Sequence, residues 1–103
     1  MYHHGWSDHE RGVHVKSLTP DGSDITIYYD GLLNKSGADQ VFLHSGFGDP
    51  VHWKIVEDYR MQRTPEGWKK TLNMEEGQLT FCFRDAANNW DNNNGHNWTY
   101  KIV

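Results

Sequence analysis

The sequence predicts an all-β domain, an antiparallel sandwich of about seven to eight short strands. Three observations predict it. Apolar residues alternate with polar ones in many segments, as in Ile25, Ile27 and Tyr29. Turn residues such as Gly, Pro, Asn and Asp separate these segments at spacings of roughly 8–12 residues. No segment carries a helical apolar stripe of useful length.

The first half of the chain supplies four strands after a polar arm. Residues 1–12 are His-rich and show neither a helical nor a strand period, so they form a predicted N-terminal arm preceding a single sandwich domain over residues 13–103. A turn at residues 19–22 closes the first strand, the loop Leu33–Gly37 follows the second, and a Gly/Pro loop follows the third. These predicted strands are Val13–Val15, Ile25–Tyr29, Val41–His44 and Trp53–Val56.

The second half supplies four more strands. The turn residues Thr64–Gly67 and Glu75–Gly77 bound one strand whose Trp68 and Leu72 share a face, which places Trp68 in the core. Leu79, Phe81 and Phe83 mark the strongest core strand. The predicted strands here are Tyr59–Arg63, Trp68–Met74, Leu79–Arg84 and Trp98–Val103.

Composition limits the function classes. The 103 residues suffice for one domain, and five Trp among 14% aromatics exceed what so small a core can absorb, which predicts exposed rings. A net charge of −4 without a basic stripe argues against nucleic acid, and no apolar run reaches membrane-spanning length. We therefore expect neither a nucleic-acid nor a membrane partner.

Compartment is predicted from the cysteine count and the N-terminus. The single Cys82 excludes an internal disulfide and suits a reducing compartment. Residues 1–12 lack the apolar stretch of a secretory signal. We expect a cytoplasmic domain, or an extracellular one if the chain is excised from a secreted amylase.

The loop Asn88–Asn97 is the most informative segment. Asn and Asp tolerate left-handed backbone angles, and Asn94-Gly95 is a common turn pair, so part of this loop is structural. Trp90 within it offers a flat apolar plate among amide groups, which matches the alternating C–H faces and hydroxyls of a sugar. The alternative is that Trp90 plugs one end of the sandwich.

A second candidate surface runs from His44 to Trp53. His44 shares a strand face with Phe42, opposite the inward Val41 and Leu43, and Trp53 follows a Gly/Pro loop. His44 is either a hydrogen-bonded structural residue or a ligand contact, and Trp53 is either exposed or in the core.

Together these segments resemble the family 25 carbohydrate-binding modules, which are starch-binding domains attached to amylases. The resemblance spans roughly residues 23–103 and rests on Val41–His44 with Gly46 and Trp53, on Met61 with Gly67-Trp68, and on Leu79–Asp85 followed by Asn89–Asn93, Gly95 and Asn97-Trp98. The pair Asp49-Pro50, the Trp at position 98 and the His-rich arm depart from the family pattern.

The resemblance implies an immunoglobulin-like sandwich that binds α-glucans. It implies sugar stacking on His44, Trp53 and Trp90, and hydrogen bonds from Asp91, Asn92 and Asn93. The expected function is non-catalytic binding of starch, glycogen or maltooligosaccharides, in association with an amylolytic enzyme. We expect no cofactor and no metal.

Three alternatives remain open. A calcium-stabilised module would use Asp91 and the following Asn residues, although the loop lacks EF-hand spacing. A glycosidase would need two carboxylates opposed across a cleft, and Asp85 and Asp91 lie beside one loop. An immunoglobulin-like protein-interaction domain, or a regulatory glycogen-binding scaffold, would use the same exposed rings.

Overall fold

Two antiparallel sheets pack face to face in the computed structural model, which describes residues 5–49 and 51–102. Three parts of the sequence predictions lie outside the described residues. They are residues 1–4 of the predicted arm, Pro50 of the pair that departs from the family 25 pattern, and Val103 of the last predicted strand. The all-β antiparallel sandwich is confirmed. Its strands within this range are β1 (Trp6–Asp8), β2 (Val13–Ser17), β3 (Asp24–Tyr29), β4 (Val41–Phe47), β5 (Lys54–Arg60), β6 (Gln62–Thr64), β7 (Gly67–Asn73), β8 (Gln78–Asp85), β9 (Trp90–Asp91) and β10 (Trp98–Lys101).

The first sheet, sheet A, has the strand order β1-β2-β3-β7-β6. Alternation along β3 turns Ile25, Ile27 and Tyr29 into the core, and the register pairs Tyr29 with Trp68 of β7. Both of those rings are buried. Sheet A therefore presents an apolar inner face, with Thr26 and Tyr28 on the opposite face.

The second sheet, sheet B, has the order β10-β8-β4-β5, and β9 pairs with β8 in line with β10. Val41 and Leu43 of β4 are fully buried, while Phe42 and His44 point to the outer face, as their alternation predicts. The central strands β4 and β8 pair over seven positions. The outer face of sheet B is thus a broad surface centred on β4.

Aromatic rings fill the space between the sheets. Phe83 of β8 stacks on Tyr29 at 4.0 Å between ring centroids, and Trp98 lies 5.4 Å from Phe83. Trp98 also donates a hydrogen bond from Nε1 to Asp8 Oδ2 at 3.1 Å, which ties β10 to β1 across the sandwich. Two of the five Trp, Trp68 and Trp98, are therefore core residues.

Six of the eight predicted strands correspond one to one, with shifted bounds, to β2, β3, β4, β7, β8 and β10, and three elements within the described residues were not predicted. Residues 6–8 of the predicted arm form β1, whose Trp6 stacks on Phe81 at 6.1 Å. The division of the chain at residue 12 and the immunoglobulin-like topology remain predictions. The other two elements are β9 and one helical turn, α1 (Leu32–Lys35), which is too short to carry a periodic pattern.

The strand boundaries around residue 55 are a correction. The prediction places Trp53–Val56 and Tyr59–Arg63 in two strands, whereas β5 runs continuously from Lys54 to Arg60 and Trp53 precedes it. The pairing with β4 shifts register between Ser45 and Phe47, because β5 contains one extra residue there. This bulge interrupts the two-residue alternation, and the sequence pattern therefore divides the strand.

Leu43→Ala should destabilise the sandwich, since Leu43 is fully buried in the central strand of sheet B. The free energy of unfolding is expected to fall by about 2–5 kcal/mol, which urea titration measures. Leu18→Ala is the matched control, because that side chain is 51% exposed and its loss should change the free energy by less than about 0.5 kcal/mol. Equal losses in the two variants would contradict the assigned core.

Candidate functional site

Three aromatic side chains form a row across the outer face of sheet B. His44 of β4 lies in the middle, with its ring centroid 5.2 Å from that of Trp90 on β9 and 5.5 Å from that of Trp53 beside β5. Trp90 is 46% exposed, and Trp53 is half-buried against the core. The three stacking residues predicted from the sequence are therefore brought together, and we call Trp53, His44 and Trp90 the aromatic platform.

The platform is not flat. The imidazole of His44 is nearly perpendicular to the Trp90 ring, at 88°, and is tilted by 36° from the Trp53 ring. Two indoles that make such different angles with one ring cannot be coplanar. The platform therefore offers two apolar plates set at an angle, with a polar ring between them.

Gly46 makes room for Trp53 on this face. A Cβ at Gly46 would lie 2.9 Å from Cβ and Cε3 of Trp53, which is closer than carbon atoms approach without displacement. The bulge in β5 lies opposite Gly46, and its Ile55 has a φ of 54°. A β-branched residue rarely adopts this left-handed conformation. The local strain and the missing side chain of Gly46 both allow the chain to place Trp53 over β4.

Asp58 and Arg84 anchor His44. Asp58 Oδ1 lies 2.6 Å from His44 Nδ1, and Asp58 Oδ2 accepts a hydrogen bond from Arg84 Nη2 at 3.1 Å. Because an ionised carboxylate only accepts, His44 Nδ1 carries the proton and Nε2 is the nitrogen that Asp58 leaves unused. The guanidinium of Arg84 in turn lies 4.4 Å over the Phe42 ring. The orientation of His44 is thus fixed by neighbouring strands.

The acidity of Asp58 reflects these partners. Burial raises the pKa of Asp58, but the hydrogen bonds from His44 and Arg84 outweigh burial, and the net pKa lies below the usual value. Asp58 is therefore held as a carboxylate between two donors at the margin of the platform.

Cys82 lies beneath the platform. It pairs with His44 in the β4–β8 register, so both stand on the outer face, yet Cys82 is buried. Burial first, and then the negative charges of Asp58 and Asp91, raise the pKa of the Cys82 thiol to about 12. This thiol stays protonated and acts as a small apolar support, and its pKa does not suit a nucleophile.

Asp91 anchors Trp90 from the opposite side of β9. Trp90 pairs with Arg84 and Asp91 with Phe83, so the two neighbours point to opposite faces. The Asp91 side chain is buried and accepts a hydrogen bond of 2.5 Å from the phenol of Tyr29. Burial, followed by this hydrogen bond, raises the pKa of Tyr29. Asp91, predicted as a sugar contact, is therefore directed into the molecule and away from the platform.

The Asn-rich segment is a long bulge in an edge strand. Its six residues 92–97 stand opposite the single Cys82, between the β8–β9 and β8–β10 pairs. Asn93, Asn94 and Asn97 have φ values of 57–58°, and Gly95 has 87°, so the loop requires residues that tolerate the left-handed region. This requirement accounts for much of the asparagine content.

The two predicted amide contacts are partly engaged inside this loop. Asn93 Nδ2 donates to the carbonyl of Asn97 at 2.9 Å, and Asn92 Oδ1 accepts from the Gly95 backbone at 3.0 Å. Asn92 is exposed and Asn93 half-buried. These two bonds leave the side-chain nitrogen Nδ2 of Asn92 and the side-chain oxygen Oδ1 of Asn93 for a ligand.

Sequence reasoning missed Gly46 as a packing requirement, and it missed Asp58 and Arg84 as anchors. Val56, Asp58 and Arg60 alternate along β5, and recognising that strand as continuous would have placed Asp58 opposite His44. The bulge at Ile55 concealed this signal.

Two negative observations concern the residues that the structure covers. In residues 5–49 and 51–102, no three His, Cys, Asp or Glu side chains are grouped so that they could hold a metal ion. In the same range, no helix is both long and apolar enough to span a membrane.

Asp58→Asn should lower the free energy of unfolding at pH 7, and this destabilisation should disappear at acidic pH. A carboxyl whose folded pKa is lowered adds stability above its unfolded pKa, and the contribution disappears as pH falls through the folded pKa. The difference in unfolding free energy between wild type and variant should therefore narrow as pH falls below about 4. Urea titrations at pH 7 and at several lower values measure it.

The control for that titration is Asp39→Asn, which changes an exposed aspartate outside the platform. At pH 7, Asp39→Asn should change the free energy of unfolding less than Asp58→Asn does. A wild-type advantage over Asp58→Asn that stays constant down to about pH 2.5 would contradict the role of the carboxylate charge.

One comparison with known proteins identifies the family of this chain. Residues 25–83 match the model of a starch/carbohydrate-binding module (family 53). No curated protein and no solved structure matches the chain significantly. The matched range includes His44 and Trp53 and ends before Trp90. The resemblance to family 25 is thus confirmed as far as a starch/carbohydrate-binding module, and the matching family is 53: the chain belongs to the family 53 starch/carbohydrate-binding modules.

Proposed function

We propose that this module binds α-1,4-linked glucans without acting on them, through the aromatic platform of Trp53, His44 and Trp90. The observation that carries the proposal is the row of three rings on an open sheet face, with two indoles that are not coplanar. Starch, glycogen and maltooligosaccharides all present the same short α-linked segments.

The angle between the indoles supports an α-linked ligand. A sugar ring offers an apolar C–H face that stacks on an aromatic plate and thereby leaves water. An α-1,4-linked chain curves, so successive sugar faces turn relative to one another. A flat β-linked chain presents its faces in one plane and would meet only one of the two indoles squarely.

Polar groups beside the rings can bond to sugar hydroxyls. The imidazole of His44 lies between the plates and has an Nε2 that Asp58 does not use, and the amide of Asn92 lies on the exposed bulge that follows β9. Asn93 contributes its carbonyl oxygen. Asp91 is better described as a positioning residue, since its carboxylate bonds to Tyr29. We accordingly assign direct sugar contacts to His44, Asn92 and Asn93.

The expected affinity is modest. Each stacked ring contributes roughly 1–3 kcal/mol, by analogy with other flat ligands on aromatic plates. After the cost of association, a net of about 5–7 kcal/mol corresponds to dissociation constants from about ten micromolar to a few tenths of millimolar. Firm attachment to a granule would then require several modules or association with an amylolytic enzyme.

The placement of the carboxylates supports binding over hydrolysis. A glycosidase places two carboxyl groups on opposite sides of the scissile bond. Near the platform, Asp58 is paired with His44 and Arg84, and Asp91 is buried against Tyr29. Both acids are engaged in holding the site together.

Trp90→Ala should abolish retention on insoluble starch while leaving the fold intact. Trp90 is half exposed, so its removal deletes one plate and little of the core. A loss of at least about tenfold in affinity is expected from one plate. Starch pull-down measures retention, and thermal unfolding checks the fold. Leu18→Ala, an exposed apolar truncation after β2, should bind like wild type; full retention of folded Trp90→Ala would refute the platform.

Linkage specificity can be tested by tryptophan fluorescence. Maltoheptaose should change the emission of Trp53 and Trp90 in a saturable manner, and cellohexaose should give a weaker change at higher concentration, because its coplanar ring faces can stack on only one of the two indoles. Truncation of Trp90 should reduce the amplitude. Equal responses to both sugars would contradict the proposed specificity for α-linked glucans. Absence of any response to maltoheptaose would favour the alternative of a protein-interaction surface.

A further inference from the structure

A groove of about 360 Å³ opens on sheet A, the sheet that does not carry the platform. Tyr29 and Trp68, which are paired neighbours on β3 and β7, line its inner end, although their rings are buried between the sheets. Its sides include His14, Tyr28, Asp30 and Glu66. The groove therefore lies where the ends of β3 and β7 meet the β6–β7 turn.

Tyr28 is the exposed ring of this groove. It points to the outer face of sheet A, is 36% exposed, and pairs with His14 on the neighbouring strand. His14 makes an edge contact with His9 at 5.1 Å between ring centroids. His14 is thus a neighbour of both His9 and Tyr28, and it lies on the sheet that does not carry the platform.

Hydrogen-bonding groups line the groove together with Tyr28 and His14. Asp30 and Glu66 are exposed carboxylates at the groove's edge, and each accepts hydrogen bonds in the manner that sugar hydroxyls require. Asp30 Oδ1 is oriented by Asn34 Nδ2 at 2.7 Å, and the Glu66 backbone by Thr64 Oγ1 at 3.2 Å. Ser7 Oγ lies 2.8 Å from His14 Nδ1 and holds that ring in place. The groove therefore combines one exposed aromatic ring with two polar side chains, Asp30 and His14, that hydrogen bonds hold in place.

We infer that this groove is a second, weaker α-glucan site, which takes one or two sugar rings on Tyr28. The inference rests on the proposed function, because it assigns the same ligand class to a separate surface. One exposed plate accounts for weaker binding than at the platform. Two sites on opposite sheets would let one module contact two glucan segments at once, which raises its effective affinity for a branched or packed polysaccharide.

The test is reciprocal mapping by NMR. Uniformly ¹⁵N-labelled chain is titrated with maltotriose, a short probe chosen so that one molecule occupies one face. Wild type should show saturable shifts around His44 and Trp90 and, at higher concentration, around Tyr28, Gly67 and Lys69. Trp90→Ala should reduce the affinity measured from the first set of shifts about tenfold or more, and it should leave the affinity measured from the second set unchanged. Tyr28→Ala should do the reverse.

Tyr28→Phe is the matched control, since it keeps the plate and should keep the second set of shifts. Both truncated rings are exposed, and an unchanged amide spectrum without ligand verifies each fold. Shifts confined to the platform in wild type would overturn the second site and leave the proposed function standing. No saturable shift on either face would refute both. Groove shifts with calcium ions but none with maltotriose would also overturn the inference.

Discussion

The hydrogen bond between the phenol of Tyr29 and the carboxylate of Asp91 is the contact on which the aromatic platform depends. It joins sheet A to the short strand β9 of sheet B, and the same phenol accepts the backbone N–H of Leu33 at 3.0 Å. A buried carboxylate without such a partner would be costly, so β9 is held where the phenol can reach it. Because Trp90 precedes Asp91 and points the opposite way, this interior bond sets the position of an exposed ring.

A sandwich face turned to solvent is ordinarily polar, and the outer face of sheet B departs from that pattern because of its small residues. Gly46 and Cys82 leave space above the central strands, and the rings of the platform occupy it. The hydrogen bonds of Asp58 with His44 and Arg84 fix the orientation of the His44 ring between the two indoles. Rigid placement of this kind reduces the ordering that a ligand must impose on binding.

Much of the fold could be predicted because alternation reports directly on burial. The strand of Leu79, Phe81 and Phe83, the inward Val41 and Leu43, and the buried Trp68 follow from it. The platform residues could be named from ring-bearing loops and family likeness. The direction of Asp91 could not be predicted, since it depends on the phenol of Tyr29, which belongs to the other sheet and is distant in the sequence. The same holds for Asp58, whose pairing with His44 is concealed by a bulge that breaks the two-residue pattern.

The two bulges have a consequence for how copies of this chain meet one another. Sheet B has two edges, β5 and the line of β9 and β10, and each is interrupted: one by the left-handed Ile55, the other by residues 92–97. A straight, unpaired edge offers a ladder of N–H and C=O groups to which a second molecule can add a strand. An interrupted edge cannot extend that ladder. The distortions that shape the outer face of sheet B thus also oppose edge-to-edge aggregation. This matters when many copies of a carbohydrate-binding module gather on one polysaccharide.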